Sequence, residues 1–396
     1  MLTATSAPTP DFDGTRVAVI GVGNRAYLGN QVALARPGAA IVAVVDPDPA
    51  GRKRAAHLFG DVPLYQNTGA LIAAGGIDAA IVTTPDDTHA AIAIELLQAG
   101  IATFVDKPLA ITVAQADAVL ATAAAADTPL YIGHNLRHSA VVKTMRAIIE
   151  RGEIGEVKAV WVRHFVGNGG DYFFKDWHAD RSRVGSLLIQ KASHDLDIIH
   201  YLAGGYSRRV VGMGELMIYG DLADRSEPTG QIATDWFSYD NWPPRSQTGL
   251  NQTVDVEDIS MMLATLDNGV QASYAQCHFT PDYWRNYTII GTEGRCENFG
   301  DTSGGVVRVW NRRHEWQLAG DVEYPIESDS GGHEEADLAT LTEFFDQVID
   351  GTPPLCSPIA ARQAVAAGAL AAESLRHGSR PYDIPELSEE IRAYFA

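Results

Sequence analysis

The chain is poor in cysteine, with three thiols, Cys277, Cys296 and Cys356, in 396 residues. Their spacing fits no metal-ligand pattern and an odd number cannot all pair, so a disulfide scaffold and a cysteine metal centre are excluded. Such usage points to a reducing compartment, the cytoplasm. Basic residues are also scarce: 30 Lys and Arg stand against 50 Asp and Glu, a net charge of −20. That argues against a nucleic-acid backbone or an anionic membrane as partner. A small anionic ligand stays compatible, because local charge can oppose the global sign. No apolar run is long enough to span a bilayer. The opening residues lack the basic flank and apolar centre of a signal peptide, and residues 1–13 read as a disordered tail. Apolar residues are plentiful at 46%. At this length they predict two domains with substantial cores.

The stretch from Arg16 to Asp46 organises the first domain. Val17 to Ile20 is an apolar run suited to a buried parallel strand. Gly21, Gly23 and Ala26 follow as G-x-G-x-x-A. The first Gly allows a tight turn, the second lets a pyrophosphate approach the backbone, and the small third residue lets the helix pack on the strand. Asn24 and Arg25 lie inside this turn. Asp46 closes the next apolar run, Ile41 to Val45. A carboxylate there accepts from both ribose hydroxyls of adenosine and repels a 2′-phosphate, which favours NAD over NADP.

Further runs at Leu64–Tyr65, Ala79–Thr83, Ile101–Val105 and Leu130–Ile132 alternate with helical stretches. The pattern predicts a doubly wound parallel (Rossmann) sheet over residues 14–136. Ligands lie off the carboxyl ends of such strands. Thr83, Thr84, Pro85, Asp106, Lys107 and Asn135 therefore share one rim with Gly21 and Gly23. His89 either caps its helix or meets a ligand.

The segments G-V-G-N-R-A, T-T-P-D-D-T-H, D-K-P and G-H-N-L-R, in this order and spacing, resemble the Gfo/Idh/MocA group of sugar oxidoreductases. D-K-P departs from the family's Glu-Lys-Pro at Asp106. The resemblance implies that Lys107 reaches the sugar hydroxyl beside the nicotinamide, and no metal is expected. A cation there stabilises the alkoxide that develops as hydride leaves a carbinol carbon.

After Arg137 the chain changes character. Strand-like runs at Val157–Val166, Arg209–Tyr219, Ile259–Leu266, Val270–Phe279, Tyr287–Ile290 and Val306–Trp310 predict an α+β domain over 137–396. Its open sheet is mostly antiparallel. In the family one face of this sheet often serves oligomerisation, which implies a dimer or tetramer. A helix over 360–378 is expected to return to the nucleotide domain. Asp221 to Asp258 is a long polar segment, either a lid or arm or an inert surface insertion.

G-S-L-L-I-Q-K-A-S-H-D-L-D-I-I-H-Y-L reads as one buried helix. Lys191 shares a face with His194 and with Asp195. The resemblance implies that His194 transfers protons and that the family's Asp falls on Gln190, which cannot ionise. Lys191 either pairs with Asp195 or enters the pocket. Val166 to Arg183 is a candidate substrate loop in which Trp177 can stack on a sugar and Lys175, His178, Arg181 and Arg183 supply donors. Arg163 and His164 point to opposite faces of a strand, so at most one meets the pocket. Arg137, Arg163, Trp177 and His178 join Lys107, Lys191 and His194 as expected substrate residues. Tyr283, Trp284, Arg285 and His333 are further candidates. The expected activity is NAD-dependent hydride transfer at a ring carbon, C3 by preference, of a sugar or glycoside. An alternative is an NAD-dependent glycosidase that oxidises, eliminates, adds water and re-reduces, acting on an acidic sugar such as sulfoquinovose. A third is a non-catalytic NAD-binding protein.

Overall fold

The computed structural model describes residues 14–327 and 334–395. The expected tail and His333 lie outside them. Strands β1 (Arg16–Ile20), β2 (Ala40–Val45), β3 (Leu64–Tyr65), β4 (Ala79–Val82), β5 (Ala102–Val105) and β6 (Leu130–Ile132) form one sheet in the order β3-β2-β1-β4-β5-β6. All its pairings are parallel. Val17, Ala79, Ile81 and Phe104 are sealed inside, because helices cover both faces. One of these covers comes from far along the chain. Helix Glu334–Asp350 inserts Leu341, Phe344 and Phe345 against Val17, Phe104 and Tyr131.

The rest of the chain supplies β7 (Val157–Val166), β8 (Ser207–Glu215), a ribbon of β9 (Arg225–Ser226) with β10 (Leu250–Asn251), and β11 (Ile259–Leu266). It continues through β12 (Gln271–Cys277), β13 (Tyr283–Gly291), β14 (Arg295–Phe299), β15 (Val306–Trp310), β16 (Val322–Pro325) and β17 (Tyr382–Asp383). Apart from the ribbon these make a nine-stranded sheet, β16-β15-β14-β13-β7-β12-β11-β8-β17. It is antiparallel except where β12 runs parallel to β7. Helices cover one face. The other exposes Trp161, Met213, Met261 and Leu263.

Helix Pro358–Arg376 joins the two layers. Its Ala361 and Val365 pack with Leu120 and Val105 of the first sheet's core, while Ala364, Ala367 and Ala371 pack with Val210 of the second. Gly212 makes that approach possible, since a Cβ there would lie 2.1 Å from the Ala371 carbonyl oxygen. Arg362 adds an ion pair to Asp117, Nε to Oδ1 2.7 Å.

Two expectations are corrected. The strand expected over Arg209–Tyr219 stops at Glu215, because the Asp258 carboxylate takes the N–H groups of Met217, Ile218 and Tyr219 away from sheet pairing. The helix expected over 187–202 is two helices, Leu187–Gln190 and Ser193–Ala203. Lys191 sits at the joint between them and so shares no helix face with His194 or Asp195.

Candidate active site

The rim of the first sheet is ready for a dinucleotide. Gly21 adopts φ +91°, and a Cβ there would meet Thr84 at 2.7 Å. A Cβ on Gly23 would meet nothing within 4 Å, so open space lies over that turn. The Thr83 hydroxyl donates to the Gly21 carbonyl at 2.8 Å and braces the turn. Asp46 Oδ2 accepts from Val22 N and Oδ1 from Asp48 N, both at 2.8 Å. Each oxygen keeps a lone pair for a ribose hydroxyl. Asn24 Oδ1 is buried and without a protein partner. The cleared turn, the orphaned acceptor and the oriented carboxylate fit NAD.

Several other expected cofactor residues are engaged with the protein. Arg25 clamps Asp106 (Nε to Oδ2 2.9 Å) and Asp337 (Nη1 to Oδ2 2.9 Å). Asn135 donates to Asp337 Oδ1 at 2.6 Å. Thr84 accepts from Thr88 at 2.7 Å. Pro85 precedes helix Asp86–Gln98, holding its start in extended backbone. His89 is buried, with Nδ1 2.7 Å from the Pro108 carbonyl and Nε2 2.8 Å from that of Thr84. It therefore ties the β4 and β5 ends together instead of meeting a ligand, and burial lowers its proton affinity.

Lys107, just past β5, reaches across and donates to the Gln190 carbonyl at 3.2 Å. Burial pulls its amine below the ordinary lysine range, with Asp106 and Asp86 opposing that shift. Asp86 was not among the expected residues. It is buried with Oδ2 lacking a hydrogen-bond partner, and burial raises its carboxyl well above the usual range, against the pull of Lys107. Its place straight after Thr-Thr-Pro, at the mouth of a strand, was the signal. His194 lies in the first turn of the second helix, Ser193–Ala203, buried, its ring centroid 6.2 Å from that of His134. His134 lies in the quoted G-H-N-L-R segment and was likewise missed. Gln190 Oε1 is buried without a partner.

Lys191 is half-buried, its Nζ 5.4 Å from the ring centroids of both Phe173 and Tyr283. Burial, then Arg285 and Lys107, push its amine well below the usual range. The alternative pairing with Asp195 does not form. That carboxylate is held by Tyr287 (2.6 Å), His164 Nδ1 (3.0 Å), Tyr274 (3.1 Å) and Arg285 Nε (3.2 Å). Arg285 is buried and its Nη2 has no hydrogen-bond partner. Alternation along β13 carries this signal once the strand's true start, Tyr283, is known.

The substrate loop is corrected in its charges. Lys175 pairs with Asp171 at 2.8 Å, Arg183 with Asp87 at 2.9 Å, and Arg181 donates to the Asp255 backbone. His178 bonds Asp176, and Trp177 stacks on His178 with centroids 3.7 Å apart. Two expected substrate residues lie elsewhere. Arg137 is buried in a two-pronged pair with Asp197, both contacts 2.7 Å, because its strand-end turn points under helix Ser193–Ala203. Arg163 projects from the open face of β7 to Asn286 Oδ1 at 2.7 Å, since alternation sends His164, not Arg163, toward the helices. Among the described residues no group of three or more His, Cys, Asp or Glu is arranged to hold a metal. None of their helices is long and apolar enough to cross a membrane.

Comparison with known proteins agrees with this geometry. Residues 15–134 match the model of an oxidoreductase family with an NAD-binding Rossmann fold. Residues 142–297 match the GFO/IDH/MocA C-terminal domain. The chain is 30% identical to D-apiose dehydrogenase of Rhizobium rhizogenes (strain K84) over 42% of its own length and 48% of that protein's. It is 27% identical to inositol 2-dehydrogenase of Rhizobium meliloti (strain 1021), over 54% and 62%. The matched span is thus less than two thirds of each of these relatives. Levoglucosan dehydrogenase in complex with NADH and levoglucosan superposes with a TM-score of 0.76 at 20% identity, over 94% of this chain and 99% of that one, and so shares the fold. The chain belongs to the GFO/IDH/MocA oxidoreductase family and carries that family's NAD-binding Rossmann domain.

Proposed function

We propose that the protein moves hydride between a ring carbinol of a sugar or polyol and NAD, with C3 of a sugar or glycoside as the preferred position. When bound, NAD supplies the hydride acceptor, C4 of its nicotinamide. The observation that carries the reading is the Lys107 contact with the Gln190 carbonyl. It sets an amine from the cofactor rim against the wall that bears His194. Lys107 holds the substrate hydroxyl and stabilises negative charge on its oxygen. His194 takes the hydroxyl proton, and Asn24 and Asp46 orient the dinucleotide. The third possibility, binding without chemistry, is disfavoured by the contact of Lys107 with the carbonyl of Gln190, four residues before His194.

A second reading rests on Lys191 and Arg285. Arg285 Nη2 has no hydrogen-bond partner and Lys191 Nζ faces the rings of Phe173 and Tyr283, which would suit a carboxylated or sulfonated sugar. The loop cations do not support it, because their own carboxylates neutralise them. A redox-neutral glycosidase would use the same first step on such a substrate. The open sheet face, with Trp161, Met213, Met261 and Leu263, is proposed as the surface of a homo-oligomer.

One experiment separates these readings. Purified protein is incubated with NAD and a panel of neutral and acidic sugars and their nitrophenyl glycosides. NADH accumulating with a free sugar supports the dehydrogenase. NAD-dependent aglycone release without net NADH, with solvent deuterium entering at C2, supports the glycosidase. Neither result, with NAD bound, sinks both.

A further inference from the structure

The segment Asp221–Asp258 is a long feature that the proposed chemistry does not use. It does not lie idle on the surface. One end reaches the cofactor rim, where the Gly230 carbonyl accepts from Arg54 Nη1 at 2.9 Å. The same guanidinium donates through Nε to the Val22 carbonyl at 2.8 Å, inside the glycine turn. Gly230 has φ +73°, and a Cβ built on it would lie 3.2 Å from Ala50 Cβ. Ala50 follows Asp46 by four residues, at the lip where the adenosine ribose belongs. Ala233, three residues on, is buried.

The other end grips the substrate loop at Asp171. Trp236 Nε1 donates to the Asp171 carbonyl at 2.8 Å and Asn241 Nδ2 to its Oδ1 at 2.7 Å. Gln247 Nε2 donates to the Asn241 carbonyl at 3.1 Å, closing the segment on itself. Phe237 packs on Tyr172 with ring centroids 5.4 Å apart. Phe173, next in this loop, faces the Lys191 amine. A single strap therefore runs from the adenosine end of the cofactor rim to the wall of the substrate pocket.

We propose that residues 228–247 form the outer wall of the dinucleotide site, and that this strap must lift for NAD or NADH to leave. The two anchors make release of the cofactor a slow step and tie it to the order of the substrate loop. The inference goes beyond the hydride-transfer reading and needs only that the Rossmann rim binds a dinucleotide.

The test measures NADH release by stopped-flow fluorescence, chasing the full-length protein's NADH complex with excess NAD and no sugar present. Gly230→Val forces a side chain against Ala50 and lifts the strap, while the Arg54 bond to Val22 stays. Trp236→Phe removes the donor to Asp171. Release is expected to speed up by about tenfold in the first variant and about threefold in the second, since such changes act mainly on the off-rate. Both melting temperatures without cofactor are expected to stay near that of the unaltered chain. If the valine variant fails to fold, hydrogen exchange on the unaltered protein decides, with NAD expected to protect 228–237 as well as the glycine turn. Release rates within about twofold of the original in both variants overturn the proposal. So does NAD protecting the glycine turn but not the strap. Because no sugar is used, these outcomes are independent of whether hydride transfer is found.

Discussion

The two walls of the site are built on opposite principles. On the cofactor side, Asp86 apart, the charges are settled in advance: Asp46 is oriented by two backbone N–H groups, and Arg25 is locked between Asp106 and Asp337. On the wall opposite, the carboxylates are saturated and the cations are not. Asp195 has four partners, whereas Arg285 keeps an unpartnered Nη2 and Lys191 makes only ring contacts among the described residues. A desolvated cation whose donors are not all used is destabilising and persists where a ligand completes it. The first wall is therefore a finished receptor for one dinucleotide. The second is left incomplete on its substrate side.

Lys107 bridges the two walls, and removing it should give the largest effect. Lys107→Met is expected to lower kcat by about a thousandfold or more, the loss of charge stabilisation at a developing alkoxide. NAD affinity by calorimetry should change little. If kcat stays within tenfold, Lys107 is a strut to Gln190 and the contrast between the walls loses its chemical meaning.

Next comes the carboxylate under the second wall. Asp195→Asn leaves the buried Arg285 guanidinium without a counter-charge, and such losses cost about 3–5 kcal/mol. The urea midpoint should fall accordingly. An unchanged midpoint would show that Asp301, 4.0 Å from Arg285 Nη1, carries the compensation instead.

The first wall was legible in the sequence because its signals are local. The glycine turn, the strand-end Asp46 and the D-K-P segment each sit within a few residues of what they serve. What local reading could not show is which groups were already taken. Arg25 and Asn135 are engaged by Asp337, a residue some two hundred positions or more away on a helix that completes the first core. The second wall was misread for the same reason. The loop from Val166 to Arg183 looked cationic, but Asp87 and Glu257 from two distant segments, and Asp171 within the loop, answer its charges. Arg285 and His164 converge on Asp195 only through strand pairing, and β-sheet register is the least local information a sequence holds.

The pH dependence of stability probes the same wall beneath its surface. His200 is fully enclosed, and Nε2 accepts the Ser207 N–H at 3.1 Å, so its ring is neutral in the fold. Burial lowers its proton affinity to about 4, and that of His278 to about 3. An unfolded histidine titrates near ~6.5. Between the two values the unfolded chain binds more protons, so stability is full above ~6.5, falls as pH drops toward the folded value, and is flat below it. For His200 alone the loss should be on the order of 3 kcal/mol between pH 7 and 4. His200→Gln should flatten that part of a stability–pH curve measured by chemical unfolding. An unaltered slope would place the acid sensitivity elsewhere.

Lys191→Met tests the incompleteness directly, because it should separate stability from function. Replacing a desolvated amine by an apolar side chain of similar length removes a burial cost, so the melting temperature should hold or rise. The Michaelis constant for the substrate should rise by roughly tenfold, about 1.4 kcal/mol of lost binding, with kcat less affected. A drop in melting temperature with an unchanged Michaelis constant would make Lys191 a structural residue and the two walls alike.

The smallest effect is expected at Arg163, and it guards against reading every cation of this domain as a ligand for substrate. Arg163 shares the open face of the sheet with Met261 and Met213: it pairs in register with Ala275, which pairs with Met261, which pairs with Met213. Its guanidinium is solvent-facing and bonded to Asn286, on the side of the sheet away from Lys191. An exposed contact of this kind contributes at most about 0.5 kcal/mol. Arg163→Ala should therefore leave kcat, the Michaelis constant and the urea midpoint as they are. Sedimentation is the measurement that can still move, since this side chain lies among the apolar residues proposed to meet a second copy of the chain. A raised Michaelis constant in the variant would mean that the pocket extends through the sheet edge to its open face, and the assignment of faces would have to be reversed.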